Sequence, residues 1–322
     1  MSYSEASEEL KSRGSNRENP SLDPVIDALE ELGRPDNDYP VILVGGTNGK
    51  GSTAEMISRC LQELGLDAGV YKSPHLVSLS ERIKVNEREI GEKEFERLYR
   101  EINSLDSDLT FFEFMTVLAY RHFSIHGADY AVMEVGMGGR LDATNAAESD
   151  ISVITNIEED HTLYLGDSRE EIALEKAGIT PWNGKLVTGD RMEPILEVAD
   201  ERSTEVLDPL PVEKIGSRYM VDGQEFELPV RGSFQKENLE TALRVVEEIE
   251  ELPDLQDAFS GLEFPGRMEL VSREPRLILD GAHNPAALRK VLEDLPDEFT
   301  CVFAALESKA IEEMIEVLED RV

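Results

Sequence analysis

The sequence has little cysteine, few basic residues and no long apolar run, and each shortage excludes something. Its 322 residues include two cysteines, Cys60 and Cys301. One lies in an expected helix and the other in an expected strand, so both read as buried thiols, not as a disulfide or a metal pair. Lysine and arginine total 32 against 68 acidic residues, a formal net charge of −36. So acidic a chain is a poor general partner for nucleic-acid backbones or anionic membranes. No stretch reaches the roughly 18 apolar residues of a membrane span, and no N-terminal apolar run follows a basic one. These absences point to the cytoplasm. Internal repeats at solenoid periods are also missing.

The acid is spread over helices such as 92–101, 247–251 and 312–320. A dispersed acidic surface on a chain with persistent apolar periodicity reads as adaptation to high intracellular salt, the alternative being an ordinary acidic enzyme. The same periodicity argues against disorder.

The length favours two domains. Strands are expected at 41–44, 68–71, 128–135, 151–155 and 184–188, alternating with helices at 53–64, 92–103, 110–122 and 168–177. That alternation argues for a parallel, doubly wound α/β sheet. Residues 1–19 are polar, with a short amphipathic piece at best, and an Asn19-Pro20-Ser21 cap opens a helix ending at Gly33. Short strands over 206–230 and a helix over 238–252 lead to Gly261–Arg267, which reads as a linker. A second β/α series (277–279, a helix from Pro285, 300–304, a helix from Ala310) is thin for a core of its own.

The centre of this pattern is Val44-Gly45-Gly46-Thr47-Asn48-Gly49-Lys50-Gly51-Ser52, between the apolar strand 41–44 and the helix after it. Strand, glycine loop and helix form the setting of a phosphate-binding loop. Glycines allow close backbone approach to an anion, the helix N-terminus faces it, and Lys50 adds a mobile cation. The match to G-x-x-x-x-G-K-S/T is imperfect. Val44 replaces the first glycine, and Gly51 delays the hydroxyl to Ser52 or Thr53.

Of the five histidines, His75, His161 and His283 fall in polar turns after expected strands, where open α/β sheets bind ligands. His122 and His126 lie at a helix end and read as packing or surface residues. Glu134 ends a strand before a glycine-rich loop; it reads as a Mg²⁺ ligand or as a capping carboxylate. Ser73 and the Asp160-His161 pair are further metal candidates. Lys176 alone reads as a helix-end cation.

Several segments together are similar to the folylpolyglutamate synthase/dihydrofolate synthase family of Mur-type amide ligases. They are Gly46–Ser52, Ser73-Pro74-His75-Leu76, Phe112-Glu113-Phe114, Glu134 to Asn145, Asp160-His161, Glu175-Lys176-Ala177-Gly178, Pro265-Gly266-Arg267 and Asp280-Gly281-Ala282-His283-Asn284-Pro285. The resemblance implies a Mur-ligase-like ATP- and pterin-binding domain at 20–262, after the polar segment 1–19. A linker at 263–267 and a smaller Rossmann-like α/β domain at 268–322, truncated relative to the family, complete the layout.

It implies ATP, two Mg²⁺ sites and potassium as cofactors, and dihydropteroate or folate plus L-glutamate as substrates. A monomer, or part of a fused folate-pathway polypeptide, is the implied state. Thr47, Asn48, Gly49, Lys50, Gly51, Ser52, Asn238, Arg267 and Asp280 would meet ATP. Ser73, Glu134 and His161 would hold metal. Thr110, Phe111, Phe112, Glu113, Leu141, Asp142 and Ala143 would line the pterin pocket. Lys50, Lys176 and His283 are the implied catalytic residues, with Lys176 as a carbamylated lysine, a role opposite to the helix-end cation. One departure is that 305–310 reads Ala-Leu-Glu-Ser-Lys-Ala where the family carries an Asp-Lys-Asp turn. The implied reaction is ATP-dependent addition of glutamate through an acyl phosphate; the rivals are a Mur- or cyanophycin-type ligase with another acceptor and a non-catalytic nucleotide-binding remnant.

A net charge of −36 makes one prediction independent of any site. The melting temperature should rise as KCl goes from low to molar concentration, because counterions screen the acidic surface. A melting temperature that stays flat or falls would mark an ordinary acidic protein.

Overall fold

The computed structural model describes residues 2–14, 20–160, 165–166, 168–306, 309–319 and 321. Helices α1 (Tyr3–Ser12) and α2 (Asp23–Glu31) precede the central strand β1 (Val41–Gly45), whose five residues are all buried. A strand with parallel neighbours on both edges and helices on both faces has no solvent side, which is why it is an unbroken apolar run. The glycine loop then enters α3 (Lys50–Glu63). Strand β2 (Ala68–Tyr71), the hairpin β3 (Ile83–Val85) and β4 (Arg88–Glu89), helices α4 (Glu92–Asn103) and α5 (Phe111–His126), and β5 (Tyr130–Glu134) follow. Strand β6 (Ile151–Ile154), α6 (Arg169–Ala177), β7 (Lys185–Thr188), α7 (Glu193–Glu201) and β8 (Glu205–Leu207) complete the large sheet and its helices.

The large sheet has eight strands in the order β4-β3-β2-β5-β1-β6-β7-β8. Neighbours from β2 to β8 run parallel, and β3 and β4 add an antiparallel edge. Period-2 alternation divides the core. Val41, Leu43, Ala131 and Met133 pack on the side of α1, α2, α4 and α5. Ile42, Val44, Val132 and Val153 face α3 and two later helices, α8 (Gln235–Glu247) and α9 (Leu255–Ala258). Before α8, a small antiparallel sheet of β9 (Glu213–Ile215), β10 (Arg218–Val221) and β11 (Gln224–Phe226) joins that second layer.

The C-terminal part pairs β12 (Glu269–Arg273) with β13 (Arg276–Leu279) antiparallel, then adds α10 (Pro285–Glu293) and α11 (Ile311–Glu319). Its small core is built from Leu288, Leu292, Met314, Val317 and Leu318.

Three expectations are corrected and that for the start of α2 is refined. The segment 1–19 was underrated: Ala6 and Leu10 of α1 are fully buried, and Tyr3 meets Phe95 edge-on at 5.1 Å. The residue flanking helix α2, Leu22, offers no side-chain cap; Ser21 Oγ accepts from Asp23 N at 3.1 Å and donates to the Asp23 carboxylate, and Asn19 lies outside the described residues. Residues 300–304 form no strand, since an extended segment becomes one only by pairing and they pair with none of the described strands. Cys301 is accordingly exposed, while Cys60 is buried in α3 as expected. No described helix is long and apolar enough to cross a membrane.

Candidate active site

Strand order decides what surrounds the glycine loop. Because β1 lies between β5 and β6, the loop after β1 is flanked by the carboxyl ends of both neighbours. The β6 side grips it. Thr155 Oγ1 donates to Asn48 O at 2.6 Å, and the Asn156 side chain both accepts from Asn48 N and donates to Asn48 O at 3.0 Å. Thr47 N donates to Asn156 O at 2.9 Å, and Thr47 Oγ1 exchanges bonds with the Glu158 backbone. Helix α3 starts at Lys50, three residues earlier than expected, so Lys50, Gly51 and Ser52 form its first turn. Backbone N–H groups in a first turn have no intrahelical acceptor and are free for an anion.

Two of the loop glycines, Gly49 and Gly51, lie close against side chains of other elements. Gly49 caps α3 at φ +84°, and a Cβ there would strike Asn238 Oδ1 on α8. Gly51 faces Glu134; a Cβ would stand 3.3 Å from both carboxylate oxygens. Glu134 ends β5, is buried, and accepts from Ser73 N at 2.7 Å. Burial raises its pKa, against the pull of Lys50 and that N–H. A hard carboxylate whose charge is costly when buried is the kind of donor a Mg²⁺ ion would relieve. The residues therefore fit a divalent metal beside a phosphate loop. His161, the third expected ligand, lies outside the described residues.

Two lysines converge on one carbonyl. Lys50 Nζ donates to Gly46 O at 3.2 Å and Thr47 O at 3.1 Å. Lys176 Nζ, reaching from the last turn of α6, donates to the same Gly46 O at 2.9 Å. Burial lowers the pKa of both, that of Lys176 to about 7, with the Lys50 charge adding to the shift. Lys176 lies in the last turn of its helix, as its local sequence reads, but it is buried and makes no ion pair among the described residues.

The C-terminal part closes on this loop. Asn284 Nδ2 donates to Asn48 Oδ1 at 3.0 Å and Asp160 Oδ2 at 3.2 Å, while its Oδ1 caps α10 through Ala287 N. Lys309 Nζ meets Asp160 Oδ1 at 2.8 Å, and His283 Nε2 stands 3.3 Å from Asp160 Oδ2. Asp280 is half-buried and accepts from Met268 N and Ala282 N; loss of water around it still raises its pKa. The Arg267 charge acts on Lys50, Glu134 and Asp280.

The two segments expected to bind a pterin both reach Gly136, one through Phe112 and the other through Asp142. The Phe112 ring closes on Gly136, where a Cβ would sit 2.5 Å from Cζ, and lies 5.7 Å from the Tyr71 ring. Phe111 lies under the Arg82 guanidinium at 5.2 Å. Thr110 and Glu113 form a capping box at the start of α5. Asp142 accepts from Gly136 N, Met137 N and Thr144, so it organises the glycine loop after β5. Leu141 and Ala143 flank it, the latter buried.

Sequence reasoning did not single out Asn156, Asn284 or Lys309. Asn284 carried a signal, an Asn-Pro step at a helix start. Lys309 carried none.

A Mur ligase middle domain matches residues 44–185. A dihydrofolate synthase/folylpolyglutamate synthase of Buchnera aphidicola (subsp. Schizaphis graminum) is 37% identical over 298 residues, covering 87% of this chain and 71% of that protein. This chain belongs to the dihydrofolate synthase/folylpolyglutamate synthase family. A probable bifunctional folylpolyglutamate synthase/dihydropteroate synthase of Haloferax volcanii is 34% identical; the family segment in this chain spans 40% of that longer protein. A solved family structure, a bifunctional folylpolyglutamate synthase/dihydrofolate synthase with Mn, AMPPNP and L-glutamate bound, superposes with a TM-score of 0.89 at 32% identity. It covers 100% of this chain and 82% of its own. The doubly wound α/β fold expected from the alternation of strands and helices is thus the fold of the family.

Gly49 gives a direct check of the loop. Gly49→Ala should cost about 1–3 kcal/mol in backbone strain and a further loss from the displaced Asn238. Gly65→Ala is the control, with a similar φ of +81° but open space around it. Equal melting temperatures for the two variants would show that Asn238 does not press on the loop.

Proposed function

We propose that this chain is an ATP-dependent amide ligase, working in the cytoplasm, that adds L-glutamate to dihydropteroate or to the γ-carboxylate of a folate. The observation that carries this is the pair of lysines on the Gly46 carbonyl beside the buried Glu134. Two depressed cations and a costly carboxylate suit a bound polyphosphate with its metal.

In this scheme the loop 48–51 wraps the phosphates, the first-turn N–H groups of Lys50 and Gly51 hold phosphate oxygens, and Lys50 leaves its carbonyls for the β- and γ-phosphates. Ser73, Glu134 and His161 would hold Mg²⁺, which would supply charge neutralisation at the phosphoryl group. Thr47, Ser52, Asn238, Arg267 and Asp280 complete the nucleotide site. Residues 110–113 and 141–143 orient the acceptor. Its carboxylate oxygen takes the γ-phosphoryl group as ADP leaves; the glutamate amine then attacks the acyl carbon, loses a proton and expels phosphate. Asn284, Asp160, Lys309 and His283 hold the C-terminal part over the loop, which keeps water from the acyl phosphate. At a pKa of about 7 the Lys176 amine is half neutral at pH 7. An ordinary lysine is neutral in about one molecule in 3,000. A neutral amine can add CO₂ and lose a proton, giving the carbamate anion that we assign to Lys176.

A second reading, a unit that binds ATP without turning over glutamate, is favoured by the exposure of Val302 (98%) and Leu306 (73%) in the C-terminal part. The deciding assay is ADP release with dihydropteroate, with and without L-glutamate. Glutamate-dependent release that Lys176→Ala abolishes, and acetate partly restores, supports the ligase. ATP binding without glutamate-dependent release supports the second reading. Lys176→Ala at full activity overturns the carbamate.

A further inference from the structure

A second polar cluster lies away from the glycine loop, where α4 crosses the end of α5. Glu94, His122 and His126 place one potential ligand atom each within 4.8 Å of one another. His122 and His126 are one helical turn apart on α5, so their rings share a face, with centroids 4.4 Å apart. Glu94 on α4 comes to them from the neighbouring helix. Its carboxylate stands 3.4 Å from His122 Nδ1, and 3.1 and 3.0 Å from His126 Nε2.

These separations have a chemical meaning. Zinc bonds to imidazole nitrogen or carboxylate oxygen of about 2.0–2.1 Å place tetrahedral neighbours roughly 3.3 Å apart. The carboxylate-to-imidazole edges therefore already have the right length.

The second observation is an unpartnered atom. His122 is 3% exposed, and its Nδ1 is buried without a hydrogen bond. A buried polar atom left unpaired costs about 1–3 kcal/mol, so such atoms call for an explanation. Here Nδ1 points towards the carboxylate but lies too far or too oblique to bond it. His126 is the open member, with its side chain 42% exposed, which leaves a coordination position for water.

We propose that Glu94, His122 and His126 form a transition-metal site, selective for Zn²⁺-like ions over Mg²⁺, that clamps α4 to α5. Two imidazoles and one carboxylate are a borderline-soft set, suited to Zn²⁺, Co²⁺ or Ni²⁺, whereas Mg²⁺ prefers oxygen ligands. The position separates it from the proposed reaction centre: His122 lies about 15 Å along α5 from Phe112 at 1.5 Å per residue. The site is therefore structural. Arg97 is the competing cation, with Nη2 3.4 Å from Glu94 Oε1; it also reaches Glu101, which can keep it when the metal enters.

The test is a Co²⁺ titration of the untagged full chain, with Mg²⁺ saturating to occupy oxygen-rich sites. One equivalent should bind with the visible absorption of tetrahedral cobalt. His126→Ala, a change at an exposed position, should weaken that binding by at least about tenfold, and Glu94→Gln likewise. Zn²⁺ should raise the melting temperature of the parent chain but not of His126→Ala. No cobalt absorption in the parent, or the same affinity in His126→Ala, overturns the site. Neither readout depends on ligase activity, so failure here leaves the functional proposal untouched.

Discussion

One backbone carbonyl, that of Gly46, accepts from two lysines that enter from different helices. Burial is the main reason both hold their protons less tightly than usual, and the Lys50 charge adds to the shift of Lys176. Nothing in this arrangement favours the ligand-free state except the rigid frame around it. The frame is the β1 loop, fixed by Thr155 and Asn156 on one side and by Asn238 on the other. A polyanion entering the loop would remove the repulsion and gain preorganised donors at once.

The same frame explains why a remote part of the chain belongs to the site. Asn48 is both a loop residue and the contact point for Asn284, and Asp160, just beyond β6, gathers His283 and Lys309. Each of these polar groups is partnered across the boundary between the large sheet and the C-terminal part. Separating the two parts would expose Asp160 to water but leave Lys309 without this counter-charge. Closure over the loop is thus coupled to a small charge network rather than to a broad apolar interface.

Much of this was legible before any coordinates. The unbroken apolar strand 41–44, the glycine loop and the strand-end Glu134 carry their roles in local composition, because a parallel sheet buries its strands completely. The helix start was misplaced by three residues because Lys-Gly-Ser has no strong start signal; contact with Asn238 and Glu134 sets it there. The apolar neighbours Ile172, Ala173 and Ala177 made the burial of Lys176 legible, but its bond to the Gly46 carbonyl was not, because Gly46 is distant in sequence. The strand expected at 300–304 failed for the opposite reason: its apolar pattern is real, but pairing partners are supplied by tertiary context. Histidines 122 and 126 looked like packing or surface residues because Glu94, which gives them a shared geometry, sits on another helix.

The most direct measurement of the central claim is calorimetric titration of Mg²⁺-ATP into the full chain and into Lys50→Met. A loop built around a depressed cation should bind the nucleotide in the parent and lose at least about tenfold in affinity in the variant, the worth of one charge-assisted contact. Equal nucleotide affinity in the two proteins would contradict the account.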